Sequence, residues 1–243
     1  MGSAKALVRA GWNRASRIYR PDRAKAGVFG LADASAKGWL RPFFERLPPD
    51  ARVVDLGCGC GVPTTRYLAR RFQVTGVDIS DVQVDRARRL VPSATFLRED
   101  MCSIRFRAGS LAGVVALYSF IHVPLREQRP LLRRIHRWLV PEGLLLLIAG
   151  HTPYTGTEPD WLGSGAPMYW SHAGAATYAA WLEELGFEIE RREFVPEGAS
   201  GHTLFLARRA PTRTADHIGA APPPERVARR RRAGPRHSRL LNR

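Results

Sequence analysis

Short apolar runs alternate with amphipathic segments along the middle of the chain. The segments 63–71, 81–90 and 125–139 have the spacing of about 3.6 residues that is typical of helices. Five runs have the composition of buried strands, namely ARVVDLG, FQVTGVDIS, ATFLRED, AGVVALYS and GLLLLIAG. Strands that are apolar throughout and alternate with helices indicate a parallel sheet covered on both faces. The pattern therefore predicts a doubly wound α/β fold.

The last part of the predicted sheet is connected differently. Residues 173–187, AGAATYAAWLEELGF, have a helical pattern that closes at Gly186. Two strands follow, FEIERREFV and HTLFLARR, with only a short connection between them. Because a short connection cannot make a right-handed crossover, these two strands should pair antiparallel. We expect a mostly parallel, seven-stranded sheet with an antiparallel last strand pair.

Helical spacing also precedes the first strand. Residues 33–46 form one predicted helix, and an earlier amphipathic helix has its apolar face at Leu7, Val8, Gly11, Trp12, Ala15, Ile18 and Tyr19. We therefore expect a helical cap over residues 1–50 and the main domain over residues 51–209. Within that domain, residues 151–172 form an insert that is rich in Gly, Pro and aromatic residues and lacks periodic structure. Residues 210–243 follow as a tail.

The formal net charge of +16 is distributed unevenly. Residues 210–243 carry nine arginines against Asp216 and Glu225, a net +7, and have no apolar periodicity. This composition is typical of a disordered segment, and a basic tail binds polyanions non-specifically and in a salt-sensitive manner. A solvated tail without a partner explains the charge equally well. We therefore expect no specific nucleic-acid partner.

The sequence shows neither a membrane span nor a disulfide framework. The longest apolar run, GLLLLIAG, is far shorter than the roughly 18 residues that span a bilayer. Cys58, Cys60 and Cys102 are too few and too unevenly spaced for a set of disulfides. A zinc site at Cys58 and Cys60 is disfavoured, because the pair lacks a two-residue spacer and no second ligand pair follows. We expect a cytoplasmic protein in a reducing compartment.

A glycine-rich turn, DLGCGCG, follows the first predicted strand. Gly57, Gly59 and Gly61 allow a tight turn and a close approach of a ligand to the backbone. A dinucleotide-binding turn has the spacing G-x-G-x-x-G, whereas Val62 here takes the place of the third glycine. The turn therefore favours a ligand other than a dinucleotide.

Three aspartates end successive predicted strands. Asp55 ends the first strand, Asp78 the second and Asp100 the third. In a doubly wound sheet the carboxyl ends of the strands meet at one edge, where ligands bind. A carboxylate after the second strand can accept hydrogen bonds from both ribose hydroxyls, and one after the third can accept from the adenine amine. Three such acids beside a glycine turn indicate a nucleoside site.

With these motifs the chain resembles the class I S-adenosylmethionine-dependent methyltransferases. The resemblance covers about residues 10–209 and rests on VVDLGCGCG, VTGVDIS, FLREDM, VVALYSFIHV and LVPEGLLLLIAG. It implies a Rossmann-like methyltransferase fold and S-adenosyl-L-methionine as the cofactor. This cofactor has no pyrophosphate, so it does not need the third glycine, and its cationic sulfonium tolerates nearby acids.

The resemblance also implies where the cofactor binds. Asp55 and the glycine turn would surround its methionine moiety, Asp78 its ribose and Asp100 the edge of its adenine. The residues assigned to the cofactor are Tyr19, Asp55, Gly57, Cys58, Gly59, Gly61, Asp78, Ile79, Asp100, Met101, Leu117 and Tyr118. Tyr19 resembles an N-terminal tyrosine that covers the cofactor in some members, and core packing of a helix is the equal alternative.

Candidate acceptor residues follow the fourth and fifth predicted strands. His122 in SFIHVP is a candidate general base or acceptor-binding group, with a structural histidine as the equal alternative. We expect the insert to form a lid over an aromatic acceptor cavity; the alternative is a loop whose aromatic side chains form a local core. The insert also has a candidate helix N-cap at Ser171. Its candidate acceptor-binding residues are Trp161, Met168, Tyr169, Trp170 and His172.

The resemblance implies methyl transfer, and we expect the acceptor to be an oxygen or nitrogen of a small organic molecule, methylated without a metal ion. LYSFIHVP contains neither the (Asn/Asp)-Pro-Pro-(Tyr/Phe) element of nucleic-acid amino methyltransferases nor the aspartate ligand of catechol-type enzymes. Three alternatives stay open. The first is a methyltransferase that acts on RNA, peptide or protein, the second a nicotinamide oxidoreductase, and the third a non-catalytic cofactor-binding module.

Overall fold

The computed structural model describes residues 3–21 and 33–211, and the structural statements below concern these residues. The predicted loop over residues 21–30 lies outside them from residue 22, and the predicted tail lies outside them from residue 212. Within the two described ranges, no helix is both long and apolar enough to cross a membrane.

Nine strands follow one another along the described chain. They are β1 (Arg52–Leu56), β2 (Gln73–Asp78), β3 (Thr95–Arg98), β4 (Leu111–Ala116), β5 (Leu139–Gly150), β6 (Tyr154–Glu158), β7 (Met168–His172), β8 (Phe187–Glu197) and β9 (Ser200–Arg209). Seven of them form one sheet in the order β3-β2-β1-β4-β5-β9-β8. Strands β1 to β5 are parallel, whereas β9 pairs antiparallel with both β5 and β8. The predicted seven-stranded sheet with its antiparallel last pair is confirmed.

Helices cover both faces of this sheet. They are α1 (Ala4–Tyr19), α2 (Asp33–Arg46), α3 (Thr64–Leu68), α4 (Asp81–Leu90), α5 (Leu125–Trp138) and α6 (Ala175–Glu184). Neighbouring residues of a strand point to opposite faces, so Val53 and Val54 of β1 belong to different cores. Val53 packs in a cluster with Phe43 of α2, and Val54 packs in a cluster with Ile135 of α5 and Tyr178 of α6.

The insert over residues 151–172 has regular structure, contrary to the prediction. Strands β6 and β7 pair antiparallel, and a short helical turn, Trp161–Gly163, lies between them. This unit packs against α1, where Trp161 and Met168 share a buried cluster with Val8 and Ala15. The pairing of β6 with β7 satisfies backbone groups of a stretch whose apolar spacing indicated no element.

Three local predictions are wrong. The predicted helix over residues 63–71 is α-helical only over Thr64–Leu68. Ser171 is not a helix N-cap: it lies in β7, where its Oγ accepts the N–H of Leu125 at 3.2 Å, and α6 begins after Gly174. Ile18, predicted on the buried face of α1, is 41% exposed.

Candidate active site

A cleft with about 1080 Å³ of empty space, part of which is open solvent, lies at the carboxyl ends of β1, β2, β3 and β4 and is called the cavity below. In the sheet, β2 and β3 lie on one side of β1, and β4 and β5 lie on the other. The strand order therefore reverses direction between β1 and β4, and the cavity lies at this topological switch point. Helix α1 forms the opposite wall through Lys5, Val8, Trp12 and Tyr19. The cavity is therefore enclosed between strand ends and one helix.

The glycine turn after β1 forms part of the cavity wall. Gly57 has φ +72°, and a Cβ placed on it would lie 2.1 Å from the Cβ of Ser119, so both its conformation and its space require glycine. Gly59, with φ +55°, also lines the cavity. Gly61 does not line the cavity, and a Cβ placed on it would lie 3.1 Å from Val91 and 3.2 Å from Phe96.

Asp55 is buried in the cavity wall at the end of β1. Its Oδ2 accepts a hydrogen bond from the Oγ1 of Thr65 at 2.6 Å. Burial raises the pKa of Asp55 to about 7; the hydrogen bond from Thr65 lowers it, and the nearby charge of Asp78 raises it further. A cation that entered the cavity would therefore stabilise the ionised form.

Asp78 is buried at the end of β2 and lines the same cavity. Its Oδ2 accepts the N–H of Gly59 at 2.9 Å, and its Oδ1 accepts the N–H of Ser80 at 2.9 Å. Burial raises the pKa of Asp78 to about 6, against these backbone hydrogen bonds, which lower it. Each carboxylate oxygen can accept a further hydrogen bond, so the side chain is held in place and can still bind a ligand.

Asp100 follows β3 and connects the cavity to α1. The ammonium of Lys5 donates to its Oδ2 at 2.6 Å and also pairs with Glu127. Within the described residues, one group of side chains has the spacing of a metal site, Asp100 with Cys102 and Glu127. The Lys5 ammonium pairs with both carboxylates of that group. The sequence analysis did not identify Lys5.

Polar contacts hold α1 over the cavity. The Oγ of Ser80 donates to the Oδ1 of Asn13 at 2.6 Å, and the Oγ of Ser16 donates to the Oε1 of Gln83 at 2.8 Å. Arg86, which is 1% exposed, donates to the carbonyl of Ser16 at 2.6 Å. Sequence reasoning missed these residues, although two polar side chains on the inner side of an amphipathic helix were a visible signal.

His122 lies in a short helical turn after β4 and lines the cavity. Its Nδ1 is 2.8 Å from the carbonyl oxygen of Tyr169, and its buried Nε2 has no hydrogen-bond partner among the described residues. Burial lowers the pKa of His122 to about 4, although the hydrogen bond to Tyr169 raises it. The centre of its ring lies 4.3 Å from that of Trp170 and 5.7 Å from that of Trp12.

The five predicted acceptor-binding residues of the insert lie elsewhere. The described residues that line the cavity do not include Trp161, Met168, Tyr169, Trp170 or His172. Met168 is fully buried and Trp161 is 9% exposed, because α1 lies over both. Within the described chain, Trp161, Met168, Tyr169 and Trp170 pack with α1 in one cluster, whereas the ring of His172 lies beside those of Tyr154 and His202.

The remaining predicted cofactor residues all line the cavity. They are Tyr19, Cys58, Ile79, Met101, Leu117 and Tyr118. Tyr118 has φ +56°, an uncommon value for a residue with a side chain. The structure therefore brings together eleven of the twelve residues assigned to the cofactor, with Gly61 as the exception.

Several known proteins that this chain resembles are methyltransferases by name. Residues 53–143 match the family model described as a methyltransferase domain. The chain is 31% identical over 122 residues to a putative methyltransferase, YqeM, of Bacillus subtilis, covering 48% of this chain and 49% of the relative. It is 34% identical over 108 residues to 2-methyl-6-phytyl-1,4-hydroquinone methyltransferase of Synechocystis, covering 42% of this chain and 33% of the relative.

A further relative is trans-aconitate 2-methyltransferase of Variovorax paradoxus, 36% identical over 143 residues, covering 58% of this chain and 50% of the relative. The chain thus spans half or less of the length of these three relatives. Among solved structures, magnesium protoporphyrin IX methyltransferase from Synechocystis with bound S-adenosylhomocysteine matches with a TM-score of 0.64 and 19% identity, covering 86% of this chain and all of that one. This likeness shows the fold, the Rossmann-like methyltransferase fold.

Proposed function

We propose that this chain, whose residues 53–143 match the family model of a methyltransferase domain, is a class I S-adenosylmethionine-dependent methyltransferase that moves a methyl group to an oxygen or nitrogen of a small organic acceptor. The observation that carries the proposal is the meeting of Asp55, Asp78 and Asp100 around one cavity. Three carboxylates and a glycine turn at a switch point suit a nucleoside that carries positive charge.

The cavity fits S-adenosyl-L-methionine. Asp78 would accept hydrogen bonds from the ribose hydroxyls through the acceptor positions that its two backbone bonds leave. Ile79 and Met101 would pack against the adenine, and Asp100 would accept from its amine while it holds Lys5. Asp55 would lie near the cationic end, where its carboxylate gains from a positive charge.

The bound cofactor supplies an electrophilic methyl group on a sulfonium. An acceptor oxygen or nitrogen forms a bond to that methyl carbon, the carbon–sulfur bond breaks, and its electron pair stays on sulfur. The acceptor proton leaves to solvent. The chain would contribute orientation and exclusion of water, through α1 above and the strand ends below; well-oriented reactants account for roughly 7–11 kcal/mol of a barrier.

Small organic acceptors agree with the names of the relatives, one a hydroquinone methyltransferase and one a trans-aconitate methyltransferase. Lys5 supports a reaction without a metal ion, since it pairs with the two carboxylates of the group that has metal-site spacing. Cytoplasmic location agrees with the three cysteines, which are unpaired thiols.

Binding of S-adenosylhomocysteine, measured by titration calorimetry, tests the cofactor assignment. We expect tight binding to the full chain and no binding of NAD. Asp78→Asn should weaken binding strongly, because it replaces a ribose acceptor oxygen by an amide donor. Asp85→Asn is the matched control: Asp85 lies on α4, 63% exposed and paired with Arg88.

Unchanged S-adenosylhomocysteine affinity in Asp78→Asn would show that the ribose lies elsewhere. Deletion of residues 210–243 addresses larger acceptors. If methylation of a small acceptor survives the deletion and its salt dependence disappears, the tail acts only as an electrostatic tether. If methylation occurs on RNA or protein and requires the tail, the small-acceptor proposal is wrong.

A further inference from the structure

His122 presents a buried hydrogen-bond acceptor at the cavity wall. A carbonyl oxygen only accepts hydrogen bonds, so the contact of Tyr169 with Nδ1 requires the proton of the neutral ring to be on Nδ1. The lone pair is then on Nε2, which is buried and unpartnered among the described residues. A buried polar atom without a partner costs about 1–3 kcal/mol. A ligand that donates a hydrogen bond to Nε2 would remove this cost.

The orientation of the His122 ring is held by the aromatic rings packed against it. Trp170 lies against one side at 4.3 Å between ring centres, and Trp12 meets the ring edge-on at an interplanar angle of 89°. Tyr169, which supplies the carbonyl, belongs to β7 and is paired with Thr157 of β6. The strand pair of the insert therefore orients the His122 ring through the Tyr169 carbonyl, and this orientation fixes the direction from which Nε2 can accept a hydrogen bond.

The cavity surface beside His122 is aromatic. Trp12 and Tyr19 of α1 line the same cavity, with their rings edge-on at 5.0 Å between centres. Such rings pack well against a flat unsaturated ligand. This surface and the Nε2 lone pair point to the same kind of ligand.

On the basis of the proposed methyl transfer, we propose that the acceptor is a planar, neutral ring compound whose nucleophilic group is an O–H or N–H, and that this group donates to Nε2 of His122. The ring packs against Trp12 and Tyr19. His122 binds the acceptor and sets the direction of its nucleophilic lone pair.

A carboxylate acceptor is disfavoured at the same position. Its oxygens carry no hydrogen at neutral pH, so they would face the Nε2 lone pair with nothing to share. Protonation of Nε2 would remedy this, but burial and the neighbouring His172 and His202 lower the pKa of His122 to about 4. Of the two kinds of acceptor named among the relatives, the hydroquinone suits this chain and trans-aconitate does not.

A series of probes that differ in one group tests this on the unmodified chain. With S-adenosylhomocysteine bound, the affinities of 2-naphthol, 2-methoxynaphthalene and 2-naphthoate are measured by calorimetry. We expect 2-naphthol to bind best and 2-methoxynaphthalene to bind at least about fivefold more weakly, because its oxygen cannot donate to Nε2. We expect 2-naphthoate to bind at least about a hundredfold more weakly than 2-naphthol, since its charge would be buried without a partner.

Variants separate the role of Nε2 from a structural role. His122→Leu should weaken 2-naphthol about three- to tenfold and abolish its preference over the methyl ether. His122→Gln, which places an amide oxygen near the position of Nε2, should restore part of that preference. His136→Gln is the control, because His136 lies on α5, packs against Phe187 of β8 and is not among the residues that line the cavity. His136→Gln should bind S-adenosylhomocysteine like the unmodified chain, and the two His122 variants are compared at saturating S-adenosylhomocysteine.

The outcomes distinguish this inference from the proposed function. If S-adenosylhomocysteine fails to bind the unmodified chain, the proposed function is wrong. If it binds but 2-naphthoate binds as well as 2-naphthol, the acceptor class is wrong and the methyltransferase proposal stands. The same holds if 2-naphthol does not bind, or if His122→Leu retains the preference for 2-naphthol over its methyl ether.

Discussion

The affinity for S-adenosyl-L-methionine should fall steeply on acidification. In the free chain, burial raises the pKa of Asp55 to about 7 and that of Asp78 to about 6. A cationic ligand favours both ionised carboxylates, so binding below pH 7 must release protons. The affinity is therefore expected to rise with pH and to level off above about pH 7.

The pKa values set the size of this effect. At pH 5, two units below its pKa, Asp55 is ionised in roughly one molecule of a hundred, and Asp78 in roughly one of ten. The two carboxylates interact, so they titrate as a pair and their factors do not simply multiply. We predict that affinity drops at least about a hundredfold from pH 8 to pH 5, or about 2.7 kcal/mol.

Calorimetry at several pH values, in buffers of different ionisation enthalpy, measures both the affinity and the protons released. Near pH 6 we expect roughly 1.4 protons to be released per cofactor bound, because Asp55 is about nine-tenths and Asp78 about half protonated in the free chain. Asp55→Asn should remove most of the pH dependence above pH 6, whereas Asp85→Asn should leave it unchanged. An affinity that stays constant or rises on acidification would refute the placement of the cofactor's positive charge beside these carboxylates.

Two further substitutions test the cavity walls. Gly57→Ala should destabilise the chain by more than about 1–3 kcal/mol in urea denaturation and should prevent S-adenosylhomocysteine binding, because φ is +72° and a Cβ would overlap that of Ser119; wild-type stability would contradict this geometry. Arg86→Met should cost about 1–3 kcal/mol, because it removes a buried donor from the carbonyls of Ser16 and Arg20. The same variant should increase protease cleavage within α1, and unchanged cleavage would show that Arg86 does not hold α1.

The strands and the carboxylates were accessible from sequence for a simple reason. A strand buried on both faces must be apolar throughout, so runs such as Val53–Val54 stand out against the helices between them. A polar side chain that ends such a run lies at the ligand-binding edge whatever the details of packing. Asp55, Asp78 and Asp100 follow from that rule, and all three line the cavity.

The acceptor side depended on packing between distant segments. The aromatic residues of the insert suited either a lid or a local core; in the structure Trp161, Tyr169 and Trp170 pack with α1, and their contact with an acceptor stays a prediction. The roles of Lys5 and Ser16 could not be predicted from sequence either. Each side chain forms its contact with a residue far along the chain, Lys5 with Asp100 and Ser16 with Gln83. Gly61, with φ +78°, allows the turn to pass Val91 and Phe96, and its assignment to the cofactor stays a prediction.

A crystal structure of the chain with S-adenosylhomocysteine would test the central claim most directly. The account predicts the ribose hydroxyls within hydrogen-bond distance of Asp78, the adenine between Ile79 and Met101, and the sulfur directed towards His122. A nucleoside bound away from Asp78, or a cavity that stays closed to it while the ligand occupies another surface, would contradict the account.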